Sequence, residues 1–403
     1  MRGIVLWLAG CVAEGELVMG PPVEIEVSPL VPGHAVVVEA FDWPVVGSAR
    51  LLVSTRAGQG PCTPGGPCLG LRSPVLLASG ATDLSGHLRL EGRVPSTVPP
   101  GARVHLQVAQ LDPAAPGGVS ALSPVLSAVV EEDPLAAESD DFERSATLAD
   151  WTLLSDVEGP PVLHDRVDID VAEPGALVIE PNRYDDPTLG DGGAGPGWFQ
   201  DRKGPLLYRE ITGDFAARVH VRVGRRDGIH LRPDGAFQAA GFVLRDPSSI
   251  APRGDERWLM FNLGWQFQAM ATELKTTFPD GPDADDESQS TLMLDPVGVQ
   301  AATLLACRVG DRFRFWRRLD GEGGWTEQVP DPTLVYADNA GVAYPDFATD
   351  GFVRPDLPAT LQVGLMVGMW EEGAAPPVRG AFDEVWFGTP ADEADCTRAP
   401  VPP

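Results

Sequence analysis

Lysine is almost missing from this chain. Of 30 basic residues only Lys203 and Lys275 are lysines, and 58 acidic residues leave a formal charge of −28 over 403 residues. So acidic a protein repels polyanions, which argues against nucleic acid as a partner. No later segment approaches the run of about 20 apolar residues that spans a bilayer. The six histidines, His34, His87, His105, His164, His220 and His230, never approach each other at metal-ligand spacing. Phosphate-loop, dinucleotide and Gly-x-Ser-x-Gly patterns are absent as well, so no chemistry is announced by a motif.

The 45 glycines and 40 prolines, by contrast, are spread along the whole length. They cut the chain into short segments, as strand-and-turn architectures require, and the expected class is all-β. At 403 residues the chain is long enough for two domains, each with its own core.

Met1-Arg2 followed by the apolar run Gly3 to Gly10 has the layout of a short signal peptide, residues 1–10. Leu8-Ala9-Gly10-Cys11 resembles the bacterial lipobox, which implies cleavage before Cys11 and attachment of a diacylglycerol to its thiol. The expectation is an exported protein held at the cell envelope by that lipid, with the membrane as a partner through it and a linker at residues 11–22. Two further cysteines bracket Thr63-Pro64-Gly65-Gly66-Pro67, a turn-forming stretch, and a Cys62–Cys68 disulfide is expected in an oxidising compartment. Cys307 reads as a buried thiol, with pairing to Cys396 left open.

From about residue 23 apolar positions alternate: Val23, Ile25 and Val27 against Glu24 and Glu26. Further strands are expected at 35–41, 49–55, 75–78, 86–92, 103–110 and 122–130, separated by Pro- and Gly-containing turns. Six or seven such strands in this span suggest an immunoglobulin-like sandwich over residues 23–130. Residues 131–140, with Glu131, Glu132, Asp133, Glu138 and Asp140, read as an acidic linker. A second domain would occupy 141–390, and 391–403 a flexible tail.

The second domain carries a family resemblance through Asp150-Trp151-Thr152-Leu153, Gly213-Asp214-Phe215, Ala240-Gly241-Phe242-Val243-Leu244-Arg245, Gly310-Asp311-Arg312-Phe313 and the closing Phe382-Asp383-Glu384-Val385-Trp386-Phe387. Together these resemble the concanavalin A-like jelly roll, and within it the module found after β-xylosidase catalytic domains. The resemblance implies two stacked sheets. It also implies a strand, turn and strand over 313–325, with Asp320-Gly321 ahead of Trp325.

Alternation supports a sandwich independently. Leu259, Phe261, Leu263 and Trp265 share one face, and Trp258, Met260, Asn262 and Gly264 the other. Residues 361–370 repeat the pattern. Flat aromatic rings beside amide, guanidinium and carboxylate groups suit carbohydrate, and Gly241, Arg245, Trp258, Asn262, Gly364, Gly368 and Trp370 are the candidate concave binding face. The partner would be a polysaccharide or, alternatively, a surface protein. No cofactor is called for. The acidic run Asp280, Asp283, Asp285, Asp286 and Glu287 supplies hard oxygen ligands suited to Ca²⁺, without EF-hand spacing.

Retaining glycanases need two carboxylates about 5 Å apart, seen on a strand as Glu-x-Asp-x-Glu or a form one residue longer. Neither form occurs. Glu24-Ile25-Glu26 and Asp168-Ile169-Asp170 supply only two carboxylates each, and strict alternation would send Asp383 and Glu384 to opposite faces. On those grounds the expectation is that the chain is not an enzyme.

Overall fold

Apolar residues at every second position need a second layer to cover them, and both halves of the chain meet that need with paired antiparallel sheets. The computed structural model describes residues 24–398 apart from breaks, the longer of which are 42–47, 82–87, 183–196, 250–255, 279–288, 330–334, 338–346 and 370–377. Two compact units divide between Asp133 and Pro134.

In the first unit, β1 (Glu24–Val27), β2 (Ala35–Phe41) and β5 (Leu88–Arg93) form one sheet in the order β1-β2-β5. β3 (Ser48–Ser54), β4 (Val75–Ala81), β6 (Arg103–Leu111), β7 (Val119–Leu122) and β8 (Leu126–Val129) form the other, with β6 paired to β3, β7 and β8. Val36, Val38, Leu51, Leu88, Leu90, Leu106 and Val108 fill the space between them. The one strand expected over 122–130 is two. Pro124 has no N–H for a ladder, and at the break Ser123 Oγ accepts from Val108 N at 2.8 Å. Cys62 and Cys68 are disulfide-bonded, with Cα atoms 3.8 Å apart.

The second unit contains β9 (Thr152–Leu153), α1 (Leu154–Glu158), β10 (His164–Ile169), β11 (Leu177–Pro181), β12 (Leu206–Thr212), β13 (Phe215–Arg225), β14 (Gln238–Arg245), β15 (Trp258–Gln266) and β16 (Ala269–Phe278). It continues with β17 (Gln289–Pro296), β18 (Ala301–Val309), β19 (Arg312–Leu319), β20 (Thr326–Glu327), β21 (Val335–Ala337), β22 (Phe347–Ala348), β23 (Gly351–Val353), β24 (Thr360–Gly368) and β25 (Val378–Gly388). An eight-stranded sheet runs β21-β17-β16-β15-β14-β24-β12-β9 and a nine-stranded sheet β10-β11-β25-β13-β18-β19-β23-β22, with β20 on β19. Phe242, Leu259, Phe261, Leu263, Val363 and Leu365 from the first meet Phe215, Val219, Leu304, Phe315 and Phe382 from the second. The fold is therefore an all-β sandwich in both units.

Two expectations about the segments flanking this sandwich are corrected. The run 131–140 is not free linker, since residues from Pro134 onward belong to the second unit. Asp140 exchanges backbone hydrogen bonds with Val385, and its carboxylate accepts from Phe142 N and Trp151 Nε1, each at 2.9 Å. A charged residue packs when each polar atom meets a partner, and both carboxylate oxygens of Asp140 do. At the other end, the expected tail forms a 3-10 helix, Glu393–Arg398, whose Cys396 is disulfide-bonded to Cys307. Among the described residues no helix is long and apolar enough to cross a membrane.

Candidate functional site

On β14, β15, β16 and β24 every second residue turns away from the core, and register aligns these residues in rows across the sheet. Glu273, Asn262, Gly241 and Met366 form one row. Lys275, Met260, Val243 and Gly364 form the next, followed by Thr277, Trp258, Arg245 and Gln362. Six of the seven expected binding residues thus share one outward face: Gly241, Arg245, Trp258, Asn262, Gly364 and Gly368. Trp370 lies outside the described residues, as do Cys11 and the acidic run of Asp280, Asp283, Asp285, Asp286 and Glu287. Among the described residues no group of three or more metal-ligating side chains comes together.

This face was expected to be a surface, and it is covered. Trp258 and Asn262 have no solvent exposure. Leu154 of α1 and Trp198 pack over Leu206, Tyr208, Val243, Trp258, Met260 and Met366, with the Trp198 and Trp258 rings edge to face at 5.9 Å. The glycines also have a different reason from the one expected. A Cβ on Gly241 would stand 2.3 Å from the Phe261 carbonyl oxygen, and one on Gly364 2.5 Å from that of Leu207, so these glycines allow close strand approach. At Gly368 a notional Cβ would have Gly197 Cα, from the covering segment, at 3.5 Å.

Two polar clusters lie under the cover. In the first, Arg245 Nε and Nη2 donate to the two carboxylate oxygens of Glu256 at 2.9 Å, Nη1 donates to Gln362 at 2.8 Å, and Nη2 also meets Ser249 O and Glu158 Oε1. Lys203 Nζ bridges Glu158 and Glu256 at 2.6 and 2.9 Å. Burial opposes the charge on Arg245, but the two glutamates outweigh it and raise its pKa. All three nitrogens of the guanidinium are engaged within the protein and the side chain has no solvent exposure, so Arg245 serves the fold.

The second cluster was largely missed from the sequence. Glu273 Oε2 accepts from Asn262 Nδ2 at 2.7 Å and from Gln266 Nε2 at 3.1 Å, while Lys275 Nζ stands 3.4 Å from Glu273 Oε1 and donates to Trp198 O at 3.2 Å. All four side chains are buried. Glu273 Oε1, Gln266 Oε1 and the indole Nε1 atoms of Trp198 and Trp258 have no hydrogen-bond partner, an uncommon condition for buried polar atoms. A usable signal existed. Glu273-Leu274-Lys275 alternates in phase with Asn262, and Lys275 is one of only two lysines in the chain.

The nine-stranded sheet corrects a further expectation. β13 and β25 pair His220 with Glu384 and then Val221 with Phe382, so Asp383 is the extra residue of a β-bulge. The bulge breaks the alternation and turns both carboxylates outward. Asp383 binds His220 and Arg222, and Glu384 meets Arg218 at 3.4 Å. Asp168 and Asp170 are turn formers, accepting from Ala172 N and Gly175 N at 2.9 Å.

No protein-family profile and no curated protein matches the chain. Solved structures do. The chain is similar to a functionally unknown protein from Saccharomyces cerevisiae, with 14% identity, a TM-score of 0.37 and coverage of 61% of this chain and 99% of that one. It is also similar to the GH43 protein BlXynB from Bacillus licheniformis, at 13% identity and TM-score 0.39, and to a xylan beta-1,4-xylosidase from Bacillus halodurans, at 10% and 0.34. Each of those two is matched over 90% of this chain and 64% of its own length. These glycoside hydrolase neighbours overturn the expectation that the chain is not an enzyme.

Proposed function

We propose that the second unit binds carbohydrate on the outward face of its eight-stranded sheet, at Asn262, Gln266, Glu273 and Lys275 between the indoles of Trp198 and Trp258. One observation carries this reading: on one face the buried indole donors of Trp198 and Trp258 and the buried acceptor Gln266 Oε1 stand without hydrogen-bond partners, and Glu273 Oε1 has only the ion pair with Lys275 at 3.4 Å. A sugar hydroxyl both donates and accepts, and so matches such a mixed set. The flanking indoles suit the apolar face of a sugar ring. Occupancy requires Gly197 and Trp198 to lift from the sheet, which makes Trp198 the natural reporter.

The setting we propose is the bacterial cell envelope, with the exported chain held by a lipid on Cys11. Two disulfides fit an oxidising compartment, and Leu8-Ala9-Gly10-Cys11 supplies the lipidation pattern. Two acyl chains on that cysteine would anchor it stably, at about 0.8 kcal/mol per buried methylene. Replacing Cys11 with Ala should then move the protein from the membrane fraction to the soluble one. A variant that stays membrane-bound rules the anchor out.

The binding test is a polysaccharide panel read by tryptophan fluorescence, with released reducing ends measured in the same samples so that cleavage is seen if it occurs. A binding glycan should perturb Trp198, and Glu273→Gln should weaken it by about ten-fold, as loss of a charge-assisted hydrogen bond implies. The reading fails if no polysaccharide binds or if Glu273→Gln binds like the parent.

A further inference from the structure

The nine-stranded sheet also turns one face away from the core, and its side chains are of another kind. Register sets Trp386, Arg218, Leu305 and Trp316 side by side on β25, β13, β18 and β19, and Arg318 follows two residues along β19, opposite Thr303. Trp325, from the turn before β20, packs with Trp386 on the same apolar cluster of Ala216, Leu305, Cys307 and Trp316. Each of these two half-buried indoles carries a cation. Arg218 Cζ lies 5.8 Å from the ring centre of Trp386, and Arg318 Cζ 5.1 Å from that of Trp325.

The other carboxylates of this face are already engaged, Asp383 by His220 and Arg222 and Asp320 by His220. The neighbouring arginines of β19 are matched: Arg312 by Glu393, Arg314 by Glu327 and Glu393, Arg317 by Asp295. Arg218 has Glu384 at 3.4 Å, its buried Nε has no acceptor, and among the described residues Arg318 makes no ion pair. Arg218 and Arg318 share this face from strands on either side of β18. Burial first, and then Arg318, push the pKa of Arg218 down despite Glu384. Two guanidinium forks on one face, each with few acceptors, favour a planar carboxylate as ligand. The indoles on either side favour a ligand that also has a flat apolar face. A long polyanion is disfavoured by the overall charge of −28.

We infer that this face is a second carbohydrate site, for a glycan carrying isolated uronic acid units. The carboxylate lies at Arg218 and Arg318 and the ring lies against Trp325 or Trp386. The site is on the opposite sheet from Glu273 and stands or falls independently of that reading.

The test is calorimetry with a neutral oligosaccharide bearing one glucuronic acid unit, compared with the same molecule after reduction of its carboxyl group to an alcohol. The acidic form should bind at least about ten-fold more tightly, and the difference should shrink as salt is raised. Arg318→Gln and Trp325→Ala should each weaken the acidic form by about ten-fold, Arg318→Gln without a change in melting temperature. Arg318→Lys keeps the charge without the planar fork and should lose less. Equal binding of the two forms, undiminished binding by both Arg318→Gln and Trp325→Ala, equal binding of a glutamate-rich peptide, or no binding of the acidic form would each overturn the inference.

Discussion

His220 Nδ1 lies 2.6 Å from Asp383 Oδ2, and its Nε2 lies 3.1 Å from Asp320 Oδ1, so one imidazole ring spans a bulged strand and a turn one hundred residues away in sequence. The hydrogen bond to Asp383 raises the His220 pKa above its usual 6.5, with Asp320 adding to the effect and burial opposing it. Burial alone would raise the Asp383 pKa, but His220 and Arg222 outweigh it and hold the carboxyl below 3.8. The histidine's contribution to stability is full below pH 6.5 and is lost as pH rises through its folded value. The aspartate's contribution is present above pH 3.8 and is lost as pH falls through its own. Melting temperature should therefore decline from the mildly acidic range into the alkaline one, and His220→Gln should flatten that decline. Both groups are partly exposed, so the effect should be about 1 kcal/mol or less. A variant with the parent's pH profile would show that the clamp contributes nothing.

The disulfides should differ in weight. Cys307 and Cys396 are 89 residues apart and Cys62 and Cys68 only 6. By loop entropy the first stabilises by roughly 4 to 5 kcal/mol and the second by about 2 kcal/mol. Cys396→Ser should lower the urea midpoint well below that of Cys62→Ser. Equal shifts would mean that the 3-10 helix is held by other contacts, such as those of Glu393 to Arg312 and Arg314.

The strands were legible where alternation met turn chemistry: 35–41 corresponds to β2 without adjustment, and 103–110 to β6 within one residue. The outward face of the eight-stranded sheet was legible too, since Gly241, Arg245, Trp258, Asn262, Gly364 and Gly368 do share it. What covers that face was not. Trp198 reaches Trp258 across some 60 positions, and no local pattern reports such a contact. Asp383 was misplaced because a bulge adds one residue to a strand without altering its composition. Asp140 was misplaced because a carboxylate's partners, Phe142 N and Trp151 Nε1, exist only once the chain has folded.

The lattice of Arg245, Lys203, Glu158 and Glu256 joins two cations to two anions, with Arg245 and Glu256 buried and Lys203 and Glu158 partly exposed. Removing one member strands an opposite charge, at a cost of about 3 to 5 kcal/mol for a buried pair. Arg245→Ala should shift the urea midpoint accordingly with little change in slope. An Arg245→Ala cost below about 1 kcal/mol, the range of surface pairs, would show that water screens these charges and that the face is more open than its burial indicates.

The glycines of that face separate its two roles. Gly241 and Gly364 lie against neighbouring backbone, where an added methyl has nowhere to go. Alanine at either position should cost about 1 to 3 kcal/mol by overpacking. At Gly368 the nearest atoms to a new Cβ are Met366 Cε at 3.3 Å, the end of a flexible side chain, and Gly197 Cα at 3.5 Å in the covering segment. Gly368→Ala should therefore leave stability nearly unchanged while loosening the seat of Gly197 and Trp198, seen as a shift in tryptophan emission without a change in urea midpoint. If Gly368→Ala instead destabilises as much as Gly241→Ala, the covering segment is a fixed part of the sandwich and cannot lift to admit a sugar.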